Sequence, residues 1–591
     1  MRLLESRLRA VVLATMLLLA VSSLANVPKA SSQKYGGKMD IGWGGEPKVT
    51  HVNYQMDAHA AHIQWNIFDK LLGYDVANGE LIPGLAERWE ISPDGKIFTF
   101  YLARNVKFHD GKPLTSADVK WTIESAIKEK GVKFKELSII SGIETPDEYT
   151  VKIFTTEPTS RLLPTLSSYY GPIILPKHLW EGTDVRNNKQ NWAPIGSGPF
   201  KFAEWVQGQY IRLIANDNYF RGRPYLDELV YKVNLAVPVL VAAAEAGDLQ
   251  LTLLGPSFTE IPRLQKSPTV SVALFNMWVR HWVAFNMRRK PLDNPMVRKA
   301  IVLAVNRSEI SEKLYMRVAP ANLGPHLVGP DAVINPFQKW VNPNAKYSDY
   351  NPEEANKLLD QAGLPRAPST GIRFSLKFIA FSFATVFGGP EMAELIREQL
   401  KKVGIEIRIE NQMAAVMYDI FQKGDYDMHN RSGVWGPDPD EWGPTYTSKG
   451  TTNSMGYNNS RMDELFLMGG REIDVEKRKK IYSEVQEILV RDLPMFCVVE
   501  YPMVWLVNKK YQGFFWQEGI HDKTGQSQFR LVWWEGATGP PKTTTATTTR
   551  ITTTPAAAVP TGNVGLIAGV VVLVMAFAVI LFVRRKKSAQ K

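Results

Sequence analysis

Residues Val564 to Val583 form a twenty-residue run without a single charge, and Arg584-Arg585-Lys586-Lys587 follows at once. At 1.5 Å per helical residue, such a run spans about 30 Å, the thickness of a bilayer's hydrocarbon core. The basic cluster behind it sets the orientation, with the end of the chain on the cytoplasmic side. The other end carries a matching address. Arg2, Arg7 and Arg9 precede the short apolar stretch Ala10 to Val21, and Ser23-Leu24-Ala25 offers a small-x-small cleavage site. That is the pattern of a secretory signal. A cleaved signal and one stop-transfer helix place residues 26–563 outside the cell, and everything that folds must fold there.

Just before the apolar run, Thr543-Thr544-Thr545, Thr547-Thr548-Thr549 and Thr552-Thr553-Thr554 alternate with Pro540, Pro541, Pro555 and Pro560. Such a tract cannot build a core and is stiffened by its prolines, so it reads as an extended stalk. The body in front of it is globular in composition, since the chain is 45% hydrophobic and 22% charged. The formal charge of +11 is concentrated at the two ends and in the stalk. The body is left close to neutral, which gives no electrostatic case for a nucleic-acid partner. Cys497 is the one cysteine, so no intrachain disulfide is available, and a body of this size can bury a core without one.

Helical and strand-like segments alternate along the body, with no repeat of 20–50 residues, which predicts an α/β fold. Asn351-Pro352-Glu353-Glu354 supplies a cap, a proline at the first helical position and an acidic first turn, ahead of the stripe Ala355, Leu358, Leu359 and Ala362. Pro390 to Val403 and Asp474 to Arg491 predict further helices, and Pro295 to Leu303 a fourth. Ile405, Ile407 and Ile409 alternate with charged residues, as do Phe98, Phe100 and Leu102 with other residues, and both predict half-buried strands. Thr115-Ser116-Ala117-Asp118 opens a helix in the manner of a capping box.

An ordered set of motifs then carries a family likeness. Gly84-Leu85-Ala86-Glu87-Arg88-Trp89, Ser92-Pro93-Asp94-Gly95 and Val106-Lys107-Phe108-His109-Asp110-Gly111-Lys112-Pro113-Leu114 come first. Gly196-Ser197-Gly198-Pro199-Phe200, Asn218-Tyr219-Phe220-Arg221-Gly222, Phe285-Asn286-Met287 and Gly424-Asp425-Tyr426-Asp427 follow, and the Trp435-to-Asp440 loop closes the series. The set resembles the extracellular solute-binding proteins of the oligopeptide-type (family 5) ABC importers, over roughly residues 38–510. The stalk and anchor look like the arrangement of archaeal, membrane-anchored members.

The resemblance implies a two-lobed, periplasmic-binding-protein-like α/β fold with an extra subdomain in the first lobe, closing on a ligand and docking on a permease driven by an ATPase. It divides the chain into a signal (1–25), a lobe I core (35–60, 190–285 and 500–537), the extra subdomain (61–189) and lobe II (286–499). The stalk (538–563), one transmembrane helix (564–583) and a cytoplasmic basic tail (584–591) complete it. A monomer is expected.

Several residues are candidates for lining the ligand cleft. Gly42-Trp43-Gly44-Gly45 lacks the lysine and spacing of a phosphate loop. It reads as a strand end that presents Trp43. Trp278, Arg280 and Trp282 precede Phe285-Asn286, where the family's crossover strand runs, so alternate side chains face the cleft, with Arg280 placed to receive a carboxylate. The loop Trp435-Gly436-Pro437-Asp438-Pro439-Asp440-Glu441-Trp442 is too proline-rich for helix and too aromatic for an idle surface. In peptide-binding relatives an aspartate of this region meets the ligand's ammonium group. Asp438 is the nearest match and Asp440 the next, in a segment shorter than theirs. Trp435 and Trp442 flank it, and Tyr457-Asn458 adds two more candidates.

Other clusters read as structural. His109-Asp110-Gly111 is a turn; His51, Asp57, His59 and His62 lack a completing ligand set, so no metal or cofactor is expected. Cys497 lies in the apolar stretch Met495-Phe496-Cys497-Val498-Val499 and is expected to be buried. Asn306-Arg307-Ser308, Asn430-Arg431-Ser432 and Asn458-Asn459-Ser460 match the N-glycosylation pattern. An oligopeptide is the expected ligand, and the sixteen tryptophans leave an oligosaccharide as the alternative. An anchored hydrolase is a further alternative, against which stand the missing Gly-x-Ser-x-Gly and His-Glu-x-x-His motifs. No enzymatic activity is expected.

Overall fold

The computed structural model describes residues 35–51, 53–55, 57–75, 80–168, 170–316, 339–381, 388–412, 414–434, 438–514 and 529–537. The segments expected to be signal, stalk, membrane helix and basic tail, and Trp435, all lie outside the described residues. Among the described residues no helix is long and apolar enough to cross a membrane.

One ten-stranded sheet runs through the body. Its spatial order is Ile405–Gln412, Phe374–Phe381, Met428–Val434, Val270–Phe285, Met495–Asn508, Leu251–Thr252, Lys38–Gly42, Glu228–Lys232, Tyr210–Ala215 and Phe200–Val206. Two of these strands are far longer than the rest. Val270–Phe285 and Met495–Asn508 pair antiparallel from Val270↔Asn508 to Ala284↔Met495, with irregularities between Phe275 and Val279 and between His281 and Trp282. At one end they enter a core built with Met39, Ile41, Leu213, Tyr231 and Trp505. At the other they enter a core built with Ile301, Phe378, Ile396, Val485 and Phe496. These two cores, sharing two strands, are the two lobes of an α/β fold.

A separate four-stranded antiparallel sheet, Ala86–Ile91, Ile97–Leu102, Thr150–Thr155 and Ile140–Asp147, has its own core with helix Ser116–Lys128. Phe98, Phe100 and Leu102 point into that core, as their alternation predicts.

Local chemistry sets the elements. Asn351 accepts from the Glu354 amide at 3.0 Å and starts helix Pro352–Gln361. Asp474 does the same for Lys477 at 2.9 Å ahead of helix Val475–Asp492. Asp118 returns a carboxylate to the Thr115 amide at 2.9 Å. Ile405 and Ile407 are buried and their charged neighbours exposed, in parallel register with Phe374–Phe381.

Two sequence motifs meet in the first lobe. His109 Nε2 lies 3.0 Å from the Gly198 carbonyl, and the Gly196 amide donates to His109 Nδ1 at 3.2 Å. That pattern needs a neutral imidazole protonated on Nε2. Gly196 is required there, because a Cβ would fall 2.0 Å from the Ile67 carbonyl oxygen. The His109-Asp110-Gly111 turn is thus a clasp between segments, and Gly111 has φ +89°.

Burial drives four imidazoles well below their ordinary range, His51 and His109 to about 4 and His62 and His429 to about 3. The folded chain keeps them neutral, whereas the unfolded chain protonates them below pH about 6.5. Stability is therefore full above that pH and is lost as pH falls towards the folded-state values. Each imidazole is expected to contribute up to about 1.4 kcal/mol of loss per pH unit. Urea unfolding at pH 7.5, 6 and 5 checks this; a flat profile contradicts it.

Candidate functional site

The predicted candidates fall into three groups. The first is consumed by the cores. Trp282 and Trp442 are each 1% exposed and pack in the lobe II core. Trp282 sits opposite Arg431 in the sheet register. Tyr457 is buried and donates to Asp492 Oδ2 at 2.7 Å. Burial and that carboxylate both raise its phenol well above the ordinary range. Arg280 is buried on the crossing strand, at the register position of Glu500 on one side and Gly433 on the other.

The second group is consumed by ion pairs. Asp438 is 6% exposed. Its two oxygens face Arg478 Nη1 and Nη2 at 2.5 and 2.7 Å, and it also caps the turn Pro439–Trp442 by accepting from the Asp440 amide at 3.0 Å. Arg478 donates in addition to the Gly469 carbonyl at 2.8 Å and lies against the Trp340 and Tyr482 rings. Burial works against the Arg478 charge, and Asp438 more than offsets it, so the guanidinium is held firmly protonated. A bidentate pair of this kind leaves Asp438 little capacity for a ligand's ammonium group. The sequence expectation failed to foresee this use, because Arg478 lies forty residues further along the chain.

Asp440 points across to the subdomain built on the separate four-stranded sheet. Arg161 Nε lies 2.5 Å from Asp440 Oδ2, and Arg161 Nη2 donates to Asp440 Oδ1 at 3.2 Å and to the Phe466 carbonyl at 2.9 Å. Tyr482 donates to the same Asp440 oxygen at 3.0 Å. Burial raises the Asp440 carboxyl above its usual range, and Arg161 works in the opposite direction. Next to it, the Ser160 amide donates to the Gly470 carbonyl at 2.9 Å, and Glu157 pairs with Arg471. Together these contacts tie the subdomain to lobe II. A cavity of about 740 Å³ opens beside them, lined by Lys133, Arg161, Thr165, Asp440, Lys449 and Phe466 among others.

The third group is mixed: Trp43 packs in the first-lobe core and is not presented to a cleft as its sequence position predicts, Asn458 is exposed, and the Trp278 side chain is undescribed. Trp43 is 7% exposed, with its ring against those of His59 and His62 at 5.2 and 4.7 Å, and its Nε1 has no partner among the described residues. Gly44 and Gly45 let the chain pass Leu254 and His59, where a Cβ would fall within 2.4 and 2.3 Å of their side chains. Asn458 is exposed and accepts from Ser448 Oγ at 2.9 Å. Trp278 lies on the strand Val270–Phe285 with its side chain outside the described set. Among the described residues no group of three or more histidine, cysteine, aspartate or glutamate side chains is arranged to hold a metal.

Sequence reasoning missed a second cavity, of about 350 Å³, in lobe II. Phe381, Met417 and Phe421 supply its apolar wall, and Arg288, Arg431 and the Thr451–Ser454 segment its polar one. His429 stands behind it, its ring 4.2 Å from that of Phe421 and its Nε2 3.0 Å from Ser454 Oγ. The signal was present only as Arg431, which follows the buried Met428, His429 and Asn430 on its strand. Of the three glycosylation patterns, the structure buries Asn430 and engages Asn306 as a helix cap, leaving Asn458 exposed.

Known proteins share this architecture. The crystal structure of the substrate-binding protein CtaP of Listeria monocytogenes superposes with a TM-score of 0.74 over 85% of this chain and 100% of its own, at 23% identity. The periplasmic binding protein DppA of Helicobacter pylori, solved with the peptide STSA, gives 0.69 over 85% and 99%, at 26% identity. The oligopeptide-binding protein AppA of Bacillus subtilis is 26% identical over 496 residues, covering 80% of this chain and 88% of the relative. The profile of the bacterial extracellular solute-binding proteins, family 5, matches residues 80–456, more than half of the chain. With the two lobes, the crossing strands and the ordered motifs, that match makes the chain a member of the family 5 extracellular solute-binding proteins of ABC transporters.

Proposed function

We propose that the protein is the membrane-anchored, extracellular solute-binding component of an ABC importer, which captures oligopeptides by closure of its lobes and delivers them to a permease. The observation that carries the reading is the pair of strands Val270–Phe285 and Met495–Asn508, shared by two otherwise separate cores. A shared pair of strands is a hinge, and hinge closure around a solute is the way such two-lobed binders work. Relatives named for, or crystallised with, peptides support the ligand class. The uncharged run Val564 to Val583 supports the anchor.

Ligand that binds the folded state alone stabilises it by mass action, by about 2.7 kcal/mol at one hundred times Kd. Thermal unfolding is expected to shift upward with concentration for a panel of di- to octapeptides. A shift with oligosaccharides alone would replace the ligand class, and a shift with neither would overturn the reading.

Closure also gives the Arg161 contacts a role, because they join the two sides that must meet. Arg161→Ala is expected to weaken peptide affinity several-fold, through faster release, with little change in the unliganded melting temperature. Stopped-flow dissociation against melting curves separates this from a folding defect. Deletion of residues 564–591 is expected to move the protein from the membrane fraction to the medium, read by immunoblot of both fractions.

A further inference from the structure

The 740 Å³ cavity is walled on one side by subdomain residues between Lys133 and Thr165 and on the other by lobe II residues between Asp438 and Phe466. Five carboxylates line it, and four of them are already paired. Glu136 lies 3.4 Å from Lys133 Nζ, and Glu157 pairs with Arg471. Asp438 has both oxygens on Arg478. Asp440 holds Arg161 Nε at 2.5 Å and accepts from the Tyr482 hydroxyl at 3.0 Å. Glu441, the fifth, is exposed, and water already solvates it.

The chain makes room for the Asp440 pair. A Cβ at Gly470 would fall 2.2 Å from Arg161 Nε and 2.3 Å from its Cζ. The bare glycine lets the guanidinium lie against the last turn of helix Ser460–Arg471, where it reaches both Asp440 and the Phe466 carbonyl. What the cavity has left to offer is neutral or positive. Serine and threonine hydroxyls line it, with Lys135 and Lys449, which make no ion pair among the described residues. An ammonium group placed there gives up water and meets no uncommitted buried carboxylate, which is costly. Glu441 answers it only weakly, because exposed pairs contribute little. An amide or acyl group can use the hydroxyls instead, which donate and accept.

We propose that this cavity takes an uncharged end of the ligand, so that a peptide needs no free α-ammonium group and binds as well with its amino end acylated. The assignment deepens the peptide-binding reading and rests on it. Arg161 and Gly470 set the specificity together, because they keep Asp440 from serving as a counter-ion to the ligand.

Titration calorimetry on the full chain at pH about 7.5 tests this with two probes, a tripeptide with a free amino end and the same tripeptide N-acetylated. The acetylated peptide is expected to bind within about threefold of the free one, or tighter. A charge-assisted anchor for the ammonium group would instead make acetylation cost about tenfold or more.

Two variants place the effect in this cavity. Arg161→Met removes the guanidinium from Asp440, and Gly470→Ala displaces it while both charges remain. Each is expected to shift the affinity ratio about fivefold or more towards the free peptide, since Asp440 then becomes available to an ammonium group. Acetylation that weakens binding to the native protein by more than about threefold would overturn the proposal and leave the peptide reading standing. So would a ratio that stays unchanged in both variants while they still melt cooperatively. Absence of binding by either probe, together with no thermal shift from longer peptides, would overturn both.

Discussion

The ladder between Val270–Phe285 and Met495–Asn508 is the constraint on which the rest of the molecule depends. It is long enough to have one end in each core, and its register breaks between Phe275 and Val279, in the stretch between them. Neither lobe can shift along these strands without exchanging inward and outward faces, since strand side chains alternate. What remains possible is bending at the irregular stretch. The apolar residues Phe258, Leu274, Val499 and Val504 pack beside it as a small cluster of their own, separate from the two large cores.

Much of this was legible from sequence, and the reason is local. Caps such as Asn351 and Asp474 act within three residues, and the alternation of Ile405, Ile407 and Ile409 needs only the strand that carries it. The His109 and Gly196 motifs were also visible, although their meeting through Nδ1 and Nε2 was not. The candidate site was less legible. Asp438 looks like a free carboxylate until Arg478 is folded onto it, and Trp282 looks like a cleft wall until the lobe II helices cover it.

The two acidic residues of the 438–442 turn show how the chain distributes polar work. Asp438 is used inside lobe II, where a bidentate pair with Arg478 fixes the turn and breaking it would strand a buried charge, at a cost of about 3–5 kcal/mol in comparable pairs. Asp440, two residues on, is used between lobe II and the subdomain, where it shares Arg161 with the Phe466 carbonyl. One turn therefore holds both a rigid internal support and a contact that joins the two sides of the molecule.

The shared strands and the contact between the two sides differ in kind, and the difference is compatible with the closure proposed above. The proposed hinge is a backbone ladder, interrupted between Phe275 and Val279, that runs from one apolar core into the other. The contact between the two sides consists of Arg161 with Asp440, Ser160 with Gly470, and Arg471 with Glu157; Arg161, Arg471 and Glu157 keep a third or more of their side-chain surface, while Asp440 is mostly withdrawn from water. Partly exposed ion pairs contribute little net stability, because solvent competes for both partners. Separating the two sides exchanges these polar contacts for hydration and exposes few of the core residues. A small free-energy difference between apart and together lets the binding energy of a ligand decide the balance, since a ligand shifts an equilibrium only by its differential affinity for the two states.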